Sequence, residues 1–165
     1  MNNVINTREI CKADYPLLND FIYHSIFMLP GAEPLSREII FNPGIFVYIE
    51  NFGEQQGDYG VVAECDGTII GIAWTRIIPA YGHVDENAPE LAISVLPEHR
   101  GIGIGTMLME HLFELLGKHG YKQISLSVQQ DNPAARFYQQ LGYEIIRENT
   151  DFAGNMDYIM VKTLG

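Results

Sequence analysis

PELAISVLPEHRGIGIGTML, residues 89–108, decides the fold, because it reads as a strand, a tight glycine-rich turn and the opening of a helix. Leu91, Ile93 and Val95 alternate with Ala92 and Ser94 in the period of a pleated strand, and Pro97 ends any ladder it could join. Arg100-Gly101-Ile102-Gly103-Ile104-Gly105 follows, and Thr106 onward runs with helical spacing. Alternate glycines let the backbone turn its N–H groups inward, and the new helix adds unpaired N–H groups and a positive dipole end. Phosphate is the natural guest of such a cradle.

Two common phosphate-binding designs fail here. The dinucleotide fingerprint GxGxxG, read from Gly101, meets Thr106 where its last glycine belongs. A nucleotide-hydrolase loop needs Gly-Lys-Ser or Gly-Lys-Thr, and Gly105-Thr106 has no lysine. What fits is Arg-x-x-Gly-x-Gly, with Arg100, Gly103 and Gly105 in the fixed places, and this resembles the acetyl-CoA signature of the GNAT superfamily of N-acetyltransferases. After the helix, the strand Gln123–Val128 and then DNPAARFYQQLGY, residues 131–143, resemble the same family's second half: Asn-x-x-Ala, an aromatic pair and Leu-Gly-Tyr. A short glycine motif alone often marks only a strand-to-helix turn; the joint occurrence of both halves, over roughly residues 88 to 147, is specific.

The resemblance implies a single α/β (α+β) domain over residues 1–165, with a mixed, mostly antiparallel sheet flanked by helices and a central parallel pair of strands that splay apart. It implies acetyl-CoA as cosubstrate. Ile93, Ser94 and Val95 would meet the pantetheine arm, Ile93 and Val95 through main-chain groups. The N–H groups of Gly101, Ile102, Gly103, Ile104, Gly105 and Thr106 would hold the pyrophosphate. Arg100 belongs near phosphate or pairs with Glu98 or another acid, and Asn132 either contacts the coenzyme or caps the helix after Pro133. A main-chain N–H near Val95 would polarise the thioester oxygen.

An amine attacks a thioester only as the free base, and at pH 7 a lysine-like amine of pKa ~10.4 is unprotonated in about one molecule in a few thousand. A group must accept that proton. Glu90, at the entry to the cofactor strand, stands where the resemblance places such a base; its alternative is a solvated carboxylate at a strand edge. His83, Asp85 and Glu86 in the preceding loop compete with it. Members that carry a glutamate on the second strand are not matched, since Ser127 and Gln129 occupy that region. Tyr138 resembles the family's tyrosine acid for the departing thiolate, against the alternative of a core tyrosine bonded to a backbone group. Tyr23, His24, Trp74 and Tyr81 are candidates for an acceptor wall, against the alternative of ordinary packing or surface for each. The reaction expected is acetyl transfer to a primary amine by direct attack, on a small-molecule or peptide acceptor; the alternative is a catalytically inactive CoA-binding sensor or interaction domain.

Composition narrows the partners. Ten basic and twenty-one acidic residues give a formal charge of −11, which argues against nucleic acid and anionic membrane surfaces. The five histidines show no ligand spacing, so no metal is expected. No apolar run approaches a membrane span and the N-terminal stretch lacks the regions of a signal peptide, giving a cytoplasmic address. Cys11 and Cys65 are expected as small buried apolar residues. Family members often pair as dimers, and the sequence leaves the oligomeric state open.

Along the chain, residues 4–11 suit a strand, with Asp14 as N-cap for a helix carrying Leu17, Leu18, Phe21, Ile22 and Ile26. Ser36 can cap a short helix to Phe41, and residues 44–50 lean to another. Asp66-Gly67 between two β-branched runs predicts a type I′ hairpin. Gly120 sits where a left-handed C-cap belongs, after a helix with a Leu108, Leu112, Leu115, Leu116 stripe. Residues 143–147 and 156–162 read as two last strands.

Overall fold

The computed structural model describes residues 4–151 and 153–165. Seven strands form one sheet in the order β1-β2-β3-β4-β5-β7-β6. They are β1 (Ile5–Glu9), β2 (Tyr59–Cys65), β3 (Thr68–Arg76), β4 (Glu90–Val95), β5 (Gln123–Gln129), β6 (Glu144–Thr150) and β7 (Met156–Thr163). Four helices accompany them: α1 (Leu18–Ser25), α2 (Pro43–Phe46), α3 (Ile104–Lys118) and α4 (Ala134–Gln140). Every neighbouring pair is antiparallel except β4 and β5, as the sequence predicts.

The parallel pair is the feature that makes a site. It has a single register pair, Glu90 with Ser125, supported by Ser125 N–H donating to Pro89 O at 2.9 Å. Beyond that point the strands part. On its other side β4 stays laddered to β3 from Arg76↔Glu90 to Gly71↔Val95. Leu96 N–H donates to Ile70 O, so even-numbered residues of this stretch face β3 and the main-chain groups of Ile93 and Val95 turn toward the gap.

Period-two alternation sorts the sheet's side chains onto two cores. Val61, Ala63, Ala73, Leu91, Ile124 and Leu126 meet α3, whose Leu108, Met109, Leu112 and Leu116 are fully buried. At about 1.5–3 kcal/mol for each large side chain removed from water, this face anchors the glycine turn that precedes α3. Val62, Ile72 and Trp74 face the other way, against Leu18, Phe21 and Ile22 of α1 and Ile45, Ile49 and Phe52 of the α2 region.

Local signals hold with two corrections. Asp66 and Gly67 have φ of 52° and 79°, the paired positive values a type I′ turn needs. Gly120 has φ 84°, and Tyr121 N–H returns to Leu116 O while Gly120 N–H returns to Gly117 O, which closes α3 in a Schellman motif. Ser36 caps the 3-10 turn Arg37–Phe41 through Glu38 N–H. Asp14, however, sits inside a 3-10 turn, Lys12–Leu17, and reaches back to accept from Cys11 N–H at 2.9 Å while pairing with Arg8 at 2.8 Å. The first strand therefore stops at Glu9 rather than at Cys11, and Cys11 is exposed where a buried thiol was expected; Cys65 is buried. Trp74, open from sequence between an acceptor wall and ordinary packing, is wholly buried in the core and donates its indole N–H to Tyr48 O at 2.9 Å.

Candidate active site

The glycine turn takes the predicted shape. Gly101 and Gly103 have φ of 82° and 91°, a region costly for any side chain with a Cβ, and Gly103 is the N-cap of α3. Gly105 has ordinary helical geometry, and an added Cβ there would meet the Phe137 ring at 3.5 Å. That is ordinary van der Waals contact, so neither backbone conformation nor space demands a glycine at this third position. The turn opens onto a groove of about 960 Å³ lined by Ile93, Ser94, Val95, Arg100, Gly101, Gly103, Ile104, Gly105, Thr106, Asn132 and Tyr138. Of the residues the sequence assigns to coenzyme binding, Ile102 alone is outside that lining, and it is 64% exposed.

Arg100 pairs with no acid among the described residues. Its guanidinium donates to Val95 O at 2.8 Å and to His24 O at 2.9 Å, tying the end of β4 to the C-terminus of α1 at the groove's rim. The Val95 carbonyl is thereby taken while its N–H remains turned to the gap. Asn132 Oδ1 accepts from Ala134 N–H at 2.9 Å, so its carbonyl caps α4 while the residue lines the groove.

A second cleft of about 480 Å³ meets the first at Ile93, Asn132 and Tyr138. Its walls are largely apolar, from Ile22, Ile26, Phe27, Met28, Ile39 and Ile45, and Tyr48, Tyr81, Ser127 and Asp157 supply polar atoms. Tyr138 is shared by both cavities and therefore marks their junction. Its ring packs on Phe137 and Tyr143 at centroid distances of 5.5 and 5.7 Å, and burial pushes its phenol up to about 12.

Glu90 is 2% exposed and lies behind Tyr48, at the closed end of the parallel pair. Tyr48 O–H donates to its Oε2, and Gly82 N–H supplies a second hydrogen bond. Both favour the carboxylate, yet burial outweighs them and lifts its pKa to about 7. Gly82 is required for this approach: a Cβ there would stand 2.8 Å from the Glu90 carboxyl and 2.9 Å from the Leu126 carbonyl carbon. Burial, then the Glu90 charge, push the Tyr48 phenol well above its usual value, with smaller contributions from Asp157 and Tyr81.

The competing loop groups are placed otherwise. Asp85 caps Asn87 N–H at the surface, Glu86 is exposed, and the main-chain oxygen of His83 accepts from Arg147. Tyr81 reaches the second cleft, whereas Tyr23 and His24 line the coenzyme-side groove. Tyr48 and Asp157 were not singled out from sequence. Tyr48 follows a four-residue helix in a segment with ambiguous periodicity, and Asp157 is the second residue of β7, just past a polar turn and outside both motifs. A single acidic residue amid apolar neighbours in β7 was the available signal.

A parallel pair parts over a glycine turn, and two cavities meet at the gap, sharing Ser25 to Met28, Ile93, Asn132 and Tyr138. The profile of the acetyltransferase (GNAT) family matches residues 25–143, and the chain belongs to that family. Among curated relatives, mycothiol acetyltransferase of Paenarthrobacter aurescens (strain TC1) is 30% identical over 92 residues, covering 55% of this chain and 28% of that protein. The corresponding enzyme of Thermobispora bispora is 34% identical over 84 residues, covering 50% of this chain and 28% of that protein. The chain thus spans about a quarter of the length of these relatives. In fold it is similar to the ribosomal-protein-S18-alanine N-acetyltransferase of Escherichia coli (TM-score 0.68, 20% identity, 98% of this chain and 95% of that one). It is equally similar to the PaiA N-acetyltransferase of Thermoplasma acidophilum in complex with coenzyme A (TM-score 0.68, 22% identity, 97% and 99%).

Proposed function

We propose that this chain transfers the acetyl group of acetyl-CoA to a primary amine by direct attack, with Glu90 as general base and Tyr138 as the donor to the leaving thiolate. The observation that carries the reading is the gap itself. Ile93 and Val95 present main-chain groups that neither β3 nor β5 uses, at the junction of a glycine-turn groove and an acid-floored cleft. An extended amide-bearing arm supplies the partners that such a strand lacks.

The amine enters from the Tyr48 side and its nitrogen attacks the thioester carbon. As the N–C bond forms, the carbonyl oxygen becomes an oxyanion, and the Val95 N–H is the donor placed to stabilise it. Collapse breaks the C–S bond and leaves amide and thiolate. The proton lost by nitrogen passes to Glu90 through the Tyr48 hydroxyl or a water, because Glu90 itself lies behind Tyr48. A carboxyl with pKa about 7 is well matched to that work at neutral pH, charged enough to accept and basic enough to pull. Acidification below that value protonates Glu90 and removes activity.

Burial also defines what Tyr138 does. A phenol near 12 delivering its proton fully to a thiolate of pKa ~8.5 would run uphill by roughly 5 kcal/mol. Tyr138 therefore serves as a neutral hydrogen-bond donor that stabilises the thiolate, which takes its proton on release.

Calorimetric titration with acetyl-CoA, alongside NAD and ATP, tests the reading, repeated on Gly103→Glu, which sets bulk and negative charge into the turn. Acetyl-CoA binding that is selective over NAD and ATP and lost in the variant is the expected result, with thiol release on adding an amine. Binding without thiol release from any amine would make the chain a CoA-binding module; no binding by the folded protein would reduce the turn to a structural element.

A further inference from the structure

We infer that the acceptor is an aliphatic amine carrying a second cationic nitrogen and no carboxylate, and that Asp157 is the residue that holds that second cation. The inference rests on the acetyl-transfer reading above and specifies its acceptor.

Register places the relevant groups on one sheet face. Glu90 shares the face of Trp74 through Arg76↔Glu90 and Trp74↔Ala92; Ser125 joins it through Glu90↔Ser125, and Ser127, Gln129 and Asp157 follow through Ser127↔Ile159 and Gln129↔Asp157. Across β4, β5 and β7 this face therefore carries two carboxylates, one at the closed end of the gap and one two strands away toward its open side.

Both are buried and neither is balanced. Asp157 is 3% exposed, lines the acceptor cleft and, among the described residues, takes only a long 3.4 Å bond from Ser127 Oγ on Oδ2. Among the described residues its Oδ1 has no hydrogen-bond partner, and neither have Glu90 Oε1 and Ser125 Oγ on the same face. Among the described residues, no lysine, arginine or histidine forms an ion pair with Glu90 or Asp157. The cleft lining includes Glu33 and Asp151 beside Asp157, and no basic side chain. An isolated buried carboxylate is costly to keep charged, and Asp157 accordingly stands at about 6, raised first by burial and then by Asp151.

The two carboxylates have separable work. Glu90 receives the proton of the attacking nitrogen, so that nitrogen becomes neutral as it reacts and cannot serve as the lasting counter-ion of the cleft. Asp157 remains charged beside the apolar walls of Ile26, Phe27 and Met28, which suit methylene groups. An acceptor carboxylate would meet Glu33, Asp151 and Asp157 with no cation to receive it.

The test is steady-state kinetics at fixed acetyl-CoA with α,ω-diamines from 1,3-diaminopropane to 1,6-diaminohexane, the matched monoalkylamines, and ornithine and lysine as carboxylated counterparts. One diamine length should exceed its monoamine in kcat/KM by at least about tenfold, a factor worth 1.4 kcal/mol, and the amino acids should trail further. Asp157→Asn should raise the diamine KM by about the same factor while kcat and the acetyl-CoA Kd stay near wild type, erasing the preference over the monoamine. Asp157→Glu should restore part of it, and circular dichroism checks that both variants fold. Equal diamine and monoamine efficiency, a preference unchanged in Asp157→Asn, or a collapse of kcat at unmoved KM would each overturn the assignment. Selective acetylation of carboxylated amines would overturn this inference and leave acetyl transfer standing; absence of acetyl-CoA binding would overturn both.

Discussion

Two buried acidic sites sit on the same face of this sheet, one residue pair apart, and the fold treats them in opposite ways. At the first, Asp58 is fully enclosed but meets Arg76, itself 2% exposed, at 3.0 Å, and also accepts from Gly53 and Gln55 N–H. Arg76 spends its remaining donors on the carbonyls of Val47 and Glu50. At the second, across the ladder from Arg76, Glu90 has a phenol and a backbone N–H but no cation, and Asp157 has less. The chain had an arginine within reach and directed it away from Glu90. A buried carboxylate with its arginine fastens a loop, here the one that delivers Tyr48; a buried carboxylate without one stores a proton affinity that a substrate can use.

The largest effect that could break the comparison is Glu90→Gln, where loss of the proposed base should reduce kcat/KM by about 10²–10⁴-fold. The same change should stabilise the protein at neutral pH. Glu90 titrates near 7 when folded against an ordinary value of 4.5, so the folded state holds its proton more tightly than the unfolded one. The stability due to that proton is complete below about 4.5 and lost as pH rises through 7, leaving a cost above it. Removing the charge should recover on the order of 1–3 kcal/mol at pH 8 and nothing at pH 4. Thermal melts at the two pH values read the difference; a variant less stable at pH 8 would mean that Glu90 is a structural carboxylate like Asp58.

Asp58→Asn should behave in reverse. It leaves the Arg76 guanidinium buried without its counter-ion, and removing one partner of such a pair typically costs about 3–5 kcal/mol. Denaturant unfolding at neutral pH should show that loss, with acetyl-CoA affinity retained in whatever fraction stays folded. A loss under about 1 kcal/mol would show that the pair is as solvated as a surface ion pair and would dissolve the contrast.

The sequence displays these two sites unequally, for physical reasons. The coenzyme side is written in contiguous residues, because a glycine turn and a helix N-terminus are local structures: Arg100 to Thr106 carry their own geometry, and Leu141-Gly142-Tyr143 sets the register of Tyr138. Glu90 was visible from its place at the head of β4. Its environment was not, since Tyr48 and Gly82 reach it from two separate segments, and Asp157 joins the same face only through the strand order β4-β5-β7. The same holds for Arg76, which in sequence is one basic residue closing an apolar strand and in the fold is the anchor of residues 47–58. Trp74 stayed open between wall and packing for the converse reason: an aromatic residue near a site suits either role, and its alternation in β3 turns it into the core.

The smallest effect belongs to Tyr138→Phe, and it tests whether burial alone, without charge, separates function from stability. Tyr138 is raised by burial as Glu90 is, but a neutral phenol near 12 carries no charge at pH 7–9, so its burial stores nothing that pH can release. A hydrogen bond to a charged partner contributes about 1.5–3 kcal/mol, so the phenylalanine variant should lose about 10- to 100-fold in kcat. Acetyl-CoA affinity should hold, since the thioester ground state bears no thiolate charge for the phenol to stabilise. The melting temperature should be the same at pH 6 and pH 8 relative to wild type, unlike Glu90→Gln. Donor analogues with more acidic thiol leaving groups should narrow the gap between variant and wild type, because a thiolate that is already stable gains less from the phenol. A defect independent of leaving-group acidity would place Tyr138 in packing with Phe137 and Tyr143, and would assign thiolate stabilisation to the backbone of the gap instead.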